Sequence, residues 1–306
     1  MSEIITVFGA TGNQGGSVVD AILNDPALSS RYMIRAVTRD ASKPSAKELA
    51  AKAGVEVVTA DLSSSASLHN VISGAHTVFL VTDFWQQMSL PAEVQQGKNV
   101  TDACKTAGVQ HLIFSSLIDA KEASKGSLAH VYHFDGKAEI ERYIRDSGIP
   151  ATFVLAGTFA SEMHRLINWQ GDKYVLALPV DEDAQIPLID IRQDMGLFVK
   201  AAIKNRSSVL GQRIYASAAY YTPQQIVDEF SAVIGKPAVY VKIPEEVFKS
   251  FLPHEKAQEI YETVMLFQKD VGYYAGADLA DSLKLLGDEE PAQWKAYAAK
   301  NLEQWL

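Results

Sequence analysis

The chain of 306 residues contains a single cysteine, Cys104. No internal disulfide can form, which excludes the stapled scaffolds of small secreted domains and fits a reducing compartment. Positive charge is also scarce: 28 Lys and Arg stand against 37 Asp and Glu, a formal net charge of −9. With no Lys/Arg-rich block, no direct nucleic-acid partner is expected. No apolar run approaches the roughly 18 residues of a membrane span. Met1-Ser2-Glu3 places no basic residue ahead of the short apolar stretch Ile4–Phe8. Neither a membrane partner nor a secretory leader is therefore expected, and the expected location is the cytoplasm, with the nucleus as a further compartment. There is no G-x-S-x-G elbow and no G-x-x-x-x-G-K-[ST] loop, which argues against an α/β-hydrolase and a P-loop enzyme. His130 and His133 share a helical spacing but have no cysteine or evident carboxylate beside them, so no metal site is expected.

What is present is an ordinary globular composition, 47% hydrophobic and 21% charged, enough to bury a large core. The first half alternates short apolar runs with helical spacings. Strands are expected at Ile4–Phe8, Met33–Thr38, Val55–Ala60, Thr77–Thr82, Gln110–Ser115 and Ala151–Leu155. Between them, helices are expected over Gln14–Leu23, Ala46–Ala53, around Leu68–Ile72, over Glu93–Ala107 and over Asp135–Asp146. Gly54, Gly74, Gly108 and Gly148 stand as stop signals. Right-handed crossovers make this a doubly wound parallel sheet, a Rossmann-type α/β fold. The second half is less regular. Pro179–Pro187 reads as a loop, Ile191–Ile203 and Pro223–Ile234 as helices, Arg213–Ala216 and Val239–Ile243 as strands, and helical spacings dominate to Leu306.

Gly9-Ala10-Thr11-Gly12-Asn13-Gln14-Gly15 follows the first strand and opens the first helix. Glycines there allow a tight turn and a close approach of pyrophosphate to a helix N-terminus. The spacing is G-x-x-G-x-x-G, and the bland alternative is a tight strand–helix turn; the βαβ context favours a dinucleotide. The second strand ends in Thr38-Arg39, with Lys43 a turn further on. A guanidinium at that position suits a 2′-phosphate, so NADP(H) is the expected cofactor. Asp40 is the competing ribose ligand, which would shift the preference to NAD, and Arg39 as a solvated charge is the plain alternative. Asp61 and Leu62, after the third strand, are candidates for the adenine; the alternative for Asp61 is a helix N-cap, which Ser63 could equally supply. Residues 1–157 are read as the NADP(H)-binding core. Residues 158–306 are read as a smaller, mostly helical lobe interleaved with later core elements.

Thr82-Asp83-Phe84-Trp85 leaves the fourth strand at the same edge, and its aromatics either wall a pocket or pack beneath the loop. Ser115 ends the fifth strand, and Tyr132-His133-Phe134-Asp135-Gly136-Lys137 opens the next helix. A short-chain dehydrogenase pairs such a serine with Tyr-x-x-x-Lys. Here Tyr132 and Lys137 are five apart and do not share a face, whereas His133 lies one turn before Lys137. The candidate catalytic residues are therefore Lys137, His133, Tyr132 and Ser115. Lys137 would hold the nicotinamide ribose, orient the ring or donate a proton; the alternative is a surface lysine. His133 would replace the tyrosine as acid, an imidazole titrating near ~6.5, or else be a structural histidine. Thr158 and Phe159 would complete the pocket.

Together, Gly9 to Gly16, Thr38-Arg39, Thr82 to Trp85, Glu93 to Gly97 and His133 to Lys137 resemble the NmrA-like family of atypical short-chain dehydrogenases. The likeness runs along most of the chain and is most specific from Ile4 to about Phe159. It implies an NADP(H)-preferring core with Arg39 at the 2′-phosphate and Lys137 at the nicotinamide. Thr82, Asp83, Phe84 and Phe159 line that side. It also implies two kinds of function: reductases of a small-molecule substrate that use lysine without the tyrosine, and silent NADPH/NADP sensors that bind a regulatory protein. The chain departs from the pattern at Gln95, where some relatives carry a basic residue, and at Asp83, where Asn is common.

Overall fold

The computed structural model describes residues 2–306. Its strands are β1 (Glu3–Val7), β2 (Tyr32–Thr38), β3 (Val55–Thr59), β4 (Ala75–Leu80), β5 (His111–Ser116), β6 (Ala151–Ala156), β7 (Thr158–Phe159), β8 (Ile167–Gln170), β9 (Lys173–Leu178), β10 (Ile186–Ile189), β11 (Arg213–Ala216), β12 (Ala219–Tyr221) and β13 (Ala238–Lys242). Its α-helices are α1 (Asn13–Leu23), α2 (Pro26–Arg31), α3 (Pro44–Ala50), α4 (Ser65–Ile72), α5 (Leu90–Thr106), α6 (Ala120–Ala123), α7 (Tyr132–Ser147), α8 (Met163–Leu166), α9 (Ile191–Lys204), α10 (Arg206–Val209), α11 (Pro223–Ile234), α12 (Glu245–Ser250), α13 (His254–Met265), α14 (Ala280–Lys284) and α15 (Trp294–Lys300).

Seven strands form one sheet in the order β11-β6-β5-β4-β1-β2-β3, and every pairing in it is parallel. The order reverses direction between β1 and β4, which opens a crevice at the carboxyl ends of those two strands. Both faces are covered, so the strands must be apolar on both sides. Alternate residues divide between two cores. Ile5, Val7, Phe79, Ile113 and Val154 face α1 and α9. Val78, Leu80, Leu112, Phe114, Phe153 and Leu155 face the side of α5 and α7. This second core continues through Leu176, Phe230, Tyr274 and Trp294 into the C-terminal third. The lobe is thus an extension of the core on one face of the sheet.

The later residues also form two small sheets, β12-β10-β7 and β13-β9-β8, of whose strands the sequence pattern announces only β13, expected at Val239–Ile243. Within the expected loop at Pro179–Pro187, β10 already begins at Ile186. The strand β9, with buried Tyr174, Val175, Leu176 and Leu178, shows no clean alternation because it is covered on both faces. Cys104 is fully buried on α5, where burial pushes its thiol well above the usual range. No helix among the described residues is long and apolar enough to cross a membrane.

One buried acid ties the end of the chain to the sheet. Asp194, fully buried on α9, accepts the Ala292 amide at 3.0 Å through Oδ2, while Oδ1 has no partner. Burial raises its pKa from 3.8 to about 7. The folded state therefore holds a proton that the unfolded chain has released, and stability should fall as pH rises through that window, by up to about 1.4 kcal/mol per pH unit. Asp194→Asn should abolish this slope. Urea midpoints between pH 4.5 and 8 measure it, and an unchanged slope would rule out Asp194 as its source.

Candidate active site

The crevice is bordered first by the glycine turn. Gly9 leaves β1 at φ +64°, and a Cβ on Gly15 would sit 2.3 Å from the Gly9 carbonyl oxygen. Only glycine lets α1 start this close to the strand. Gly12 is the N-cap without a capping side chain, and the first turn of α1 holds no acidic residue. The Gly12 amide turns back onto Gly9 O at 2.8 Å, and the Gly16 amide bonds Gly12 O at 3.0 Å. The amides of Asn13 and Gln14 have no protein acceptor among the described residues. Thr11 is half-buried beside the exposed Gly12 and Asn13. The result is an unspent anion cradle at a positive helix end. Arg192, from the start of α9, reaches over this turn to Gly12 O at 3.3 Å while pairing with Asp20 at 3.2 Å, a contact that no local motif signals.

Past β2, Arg39 is exposed and makes no hydrogen bond or ion pair with the described residues. Lys43 is exposed at the head of α3. Asp40 is engaged locally: its carboxylate accepts the Ser42 hydroxyl at 2.6 Å and the Ser42 amide at 2.9 Å. Those bonds hold it below the usual carboxylate range. Thr38 is buried and its hydroxyl accepts the Asp40 amide at 3.3 Å. Asp61 is exposed and accepts the Ser63 amide at 2.8 Å. Neither Asp61 nor Ser63 caps the following helix. That role falls to Ser64, because α4 starts at Ser65, one residue later than a Ser63 cap and three later than an Asp61 cap would require. Leu62 is half-buried, held by Asn99 Nδ2 on its carbonyl at 3.0 Å.

The far side of the crevice is built on a buried ion pair. Lys137 Nζ, far from the surface lysine of the plain alternative, is 2.6 Å from Glu93 Oε1, 2.7 Å from Thr82 Oγ1 and 3.1 Å from Thr82 O. Thr82 Oγ1 in turn donates to Glu93 Oε1 at 2.7 Å. All three ammonium protons thus have acceptors inside the protein. The other Glu93 oxygen, Oε2, is sealed and unpartnered. It lies where a Cβ on Gly136 would come within 2.8 Å, so the glycine before Lys137 is what lets α7 close onto α5.

His133, one turn before Lys137, is held from a distance. Its Nδ1 is 2.7 Å from Glu259 Oε1 on α13, and its backbone amide donates to the same oxygen at 3.0 Å. Glu262 takes the amide of His130 at 2.7 Å and its Nδ1 at 2.6 Å. Burial disfavours the Glu262 charge, but the bonds from Gln258 and from His130 outweigh it and hold this carboxyl below the usual range. The head of α7 has no capping side chain of its own, since Val131 is the N-cap and Asp135 is spent on the amides of Ala120 and Lys121. The two glutamates of α13 supply what the local sequence omits. The four groups do not converge, and no cluster of three His, Cys, Asp or Glu among the described residues is placed to hold a metal ion.

Phe84 is buried, and the 39% exposed Trp85 stands edge-on to it at 5.3 Å. The His133 ring lies 5.0 Å from Trp85 and 6.0 Å from Phe84. Lys256 of α13 covers the outer face of Trp85 at 5.4 Å. Asp83 is exposed beside them, and Phe159 is half-buried against the margin of the α1–α9 core. The buried Thr158 hydroxyl has no partner. Two candidates lie elsewhere. Tyr132 is 41% exposed and turned towards His130. Ser115 is buried and donates to Gln14 Oε1 at 2.7 Å, bracing β5 against the glycine turn.

The profile of the NmrA-like family matches residues 1–298. The chain belongs to this family. It is 31% identical to an NmrA-like family domain-containing protein of Dictyostelium discoideum, covering 82% of this chain and 84% of that protein. It is 28% identical to the NmrA-like family domain-containing oxidoreductase ptmS of Penicillium ochrochloron, covering 91% and 88%. Among solved structures it is similar to NmrA, a negative transcriptional regulator, in complex with NADP. The TM-score there is 0.82 with 22% identity, over 99% of this chain and 97% of that one. That likeness establishes the NmrA fold.

Removing Lys137 would leave the sealed Glu93 side chain without its counter-charge, with Thr82 Oγ1 as its remaining partner. Lys137→Met should cost about 3–5 kcal/mol of stability, and adding Glu93→Gln in the same chain should recover most of it. Urea unfolding of the two single variants and the double variant tests this; purely additive losses would mean the pair is not coupled.

Proposed function

We propose that this chain is an NADP(H)-dependent reductase of a small carbonyl, imine or enone. One observation carries the reading. A single sheet edge holds an uncapped helix N-terminus with an Arg39 unpaired among the described residues on one side, and on the other the aromatic cluster of Phe84, Trp85 and His133, with the buried Lys137 one helical turn from His133. The residues fit the cofactor. The turn Gly9–Gly15 and the head of α1 would take the pyrophosphate, Arg39 and Lys43 the 2′-phosphate, and Asp61 and Leu62 the adenine. Thr82, Asp83, Phe84, Lys137 and Phe159 would border the nicotinamide. When bound, NADPH supplies a hydride to the acceptor. The chain's own work is to fix geometry and charge. Lys137, immobilised by Glu93 and Thr82, would stand as a fixed polar group at the nicotinamide side, and the partly exposed Trp85, backed by buried Phe84, would offer an apolar face to a planar acceptor.

A second reading, a silent NADPH/NADP sensor acting through a regulatory protein, draws on a specific feature. The three protons of Lys137 are already committed within the protein, and Tyr132 lies off its face. Such a sensor requires that NADPH and NADP favour different conformations.

NADPH absorbance followed against ketones, quinones, enones and cyclic imines separates the two. Turnover of any acceptor supports the reductase. Tight NADPH binding with no turnover, and a change of conformation or oligomeric state between NADPH and NADP, supports the sensor. Arg39→Ala should weaken NADPH binding about 10- to 100-fold and leave NADH binding unchanged. Equal losses for both cofactors would remove Arg39 from the 2′-phosphate.

A further inference from the structure

We infer that Glu259, on α13 of the C-terminal lobe, is the positioning residue of a glutamate–histidine dyad in which His133 is the catalytic acid; this rests on the reductase reading. A lone histidine at a helix start has two tautomers and a free ring. His133 has neither freedom. The Glu259 carboxylate is 95% shielded from solvent and accepts both the His133 amide and Nδ1–H through one oxygen, at 3.0 and 2.7 Å. A carboxylate accepts only, so the proton between them sits on Nδ1. That leaves Nε2 as the atom that gains and loses a proton. Nε2 has no hydrogen-bond partner among the described residues, and it is absent from the sealed polar atoms, so solvent reaches it. The ring packs against Trp85 at 5.0 Å and Phe84 at 6.0 Å, one helical turn from Lys137.

The charge around the ring suits this role. Glu259 faces it from α13, where Lys256 lies over Trp85 and Glu262 is occupied by His130. On α7, Asp135 is spent on the amides of residues 120 and 121, and the Lys137 charge is balanced by Glu93. Asp83 is exposed at the mouth of the recess. Glu259 is thus the one carboxylate among the described residues hydrogen-bonded to the ring. The proton step is simple. As a hydride from bound NADPH formed a C–H bond at the carbonyl carbon, the C=O π pair would move to oxygen, the Nε2–H bond of the imidazolium would break and an O–H bond would form there. The imidazole is left neutral, its Nδ1–H still on Glu259, and solvent returns the proton to Nε2.

The test is a 15N and 1H titration of the imidazoles in the full chain, with the His133 signals assigned from His133→Gln. In the wild type, neutral His133 should carry its proton on Nδ1; a proton on Nε2 overturns the dyad without any need for a variant. Glu259→Gln keeps the size and an acceptor but loses the charge. The imidazolium of His133 should then disappear at a pH lower by about one unit or more, and the alkaline limb of the kcat profile should move the same way. Glu262→Gln, which removes the neighbouring carboxylate from the same helix, should leave the His133 midpoint in place. Equal shifts in both variants would reduce Glu259 to a docking contact and overturn the proposal. Turnover is scored separately. Absence of any NADPH oxidation defeats the reductase reading and with it the acid role of His133, while the titration still decides whether Glu259 sets the state of the ring.

Discussion

The arrangement of this crevice depends on one buried ion pair, Lys137 with Glu93. It joins three stretches of chain: Thr82 just past β4, Glu93 in the first turn of α5, and Lys137 in α7. Each polar group there has given up water, and only the mutual bonds offset that loss. The pair can form only because Gly136 has no side chain in front of Glu93 Oε2. With α7 pinned at that depth, its first turn, and so His133, is presented to the aromatic recess and to α13. A lysine that a sequence pattern marks for chemistry is thus also a structural bolt between α5 and α7.

The sheet was legible because both-sided burial leaves continuous apolar runs, each followed by a helical spacing and a stop glycine. The crevice edge was legible because Gly9 to Gly15, Arg39 and Asp61 all lie directly after strands, where a doubly wound fold gathers its ligand contacts. The register argument that set Tyr132 apart from Lys137 also holds in space, where Tyr132 is turned outward to His130. What stayed hidden has a common cause. Glu93, in a helix with polar neighbours, has the local pattern of a solvated acid until Lys137, 44 residues on, meets it. Glu259 is separated from His133 by 126 residues. Strands of two to four residues, such as β7, β10 and β12, are too short to display a period of two.

Helix capping shows the same dependence on distant chain. Several helices here are started by a nearby side chain, as Asp25 does for α2, Ser64 for α4 and Ser89 for α5. The head of α7 instead borrows Glu259 and Glu262 from a helix that enters the chain more than a hundred residues later. Stability of the α7 start and docking of α13 are therefore one equilibrium, and the recess is complete only when the lobe is seated.

The segregation of these parts along the chain has a consequence for descent. The groups suited to a dinucleotide come mainly from the first 62 residues, whereas the cover of the recess is α13, at residues 254–265. Among its polar contacts with the recess side, α13 relies on Glu259 and Glu262, with Lys256 stacked over Trp85. Ala257 and Val264 are buried and fix the helix to the core, while its exposed positions can change without touching the glycine turn or Arg39. A lineage built this way can vary the exposed side of this one short helix while inheriting its glycine turn and Arg39 intact.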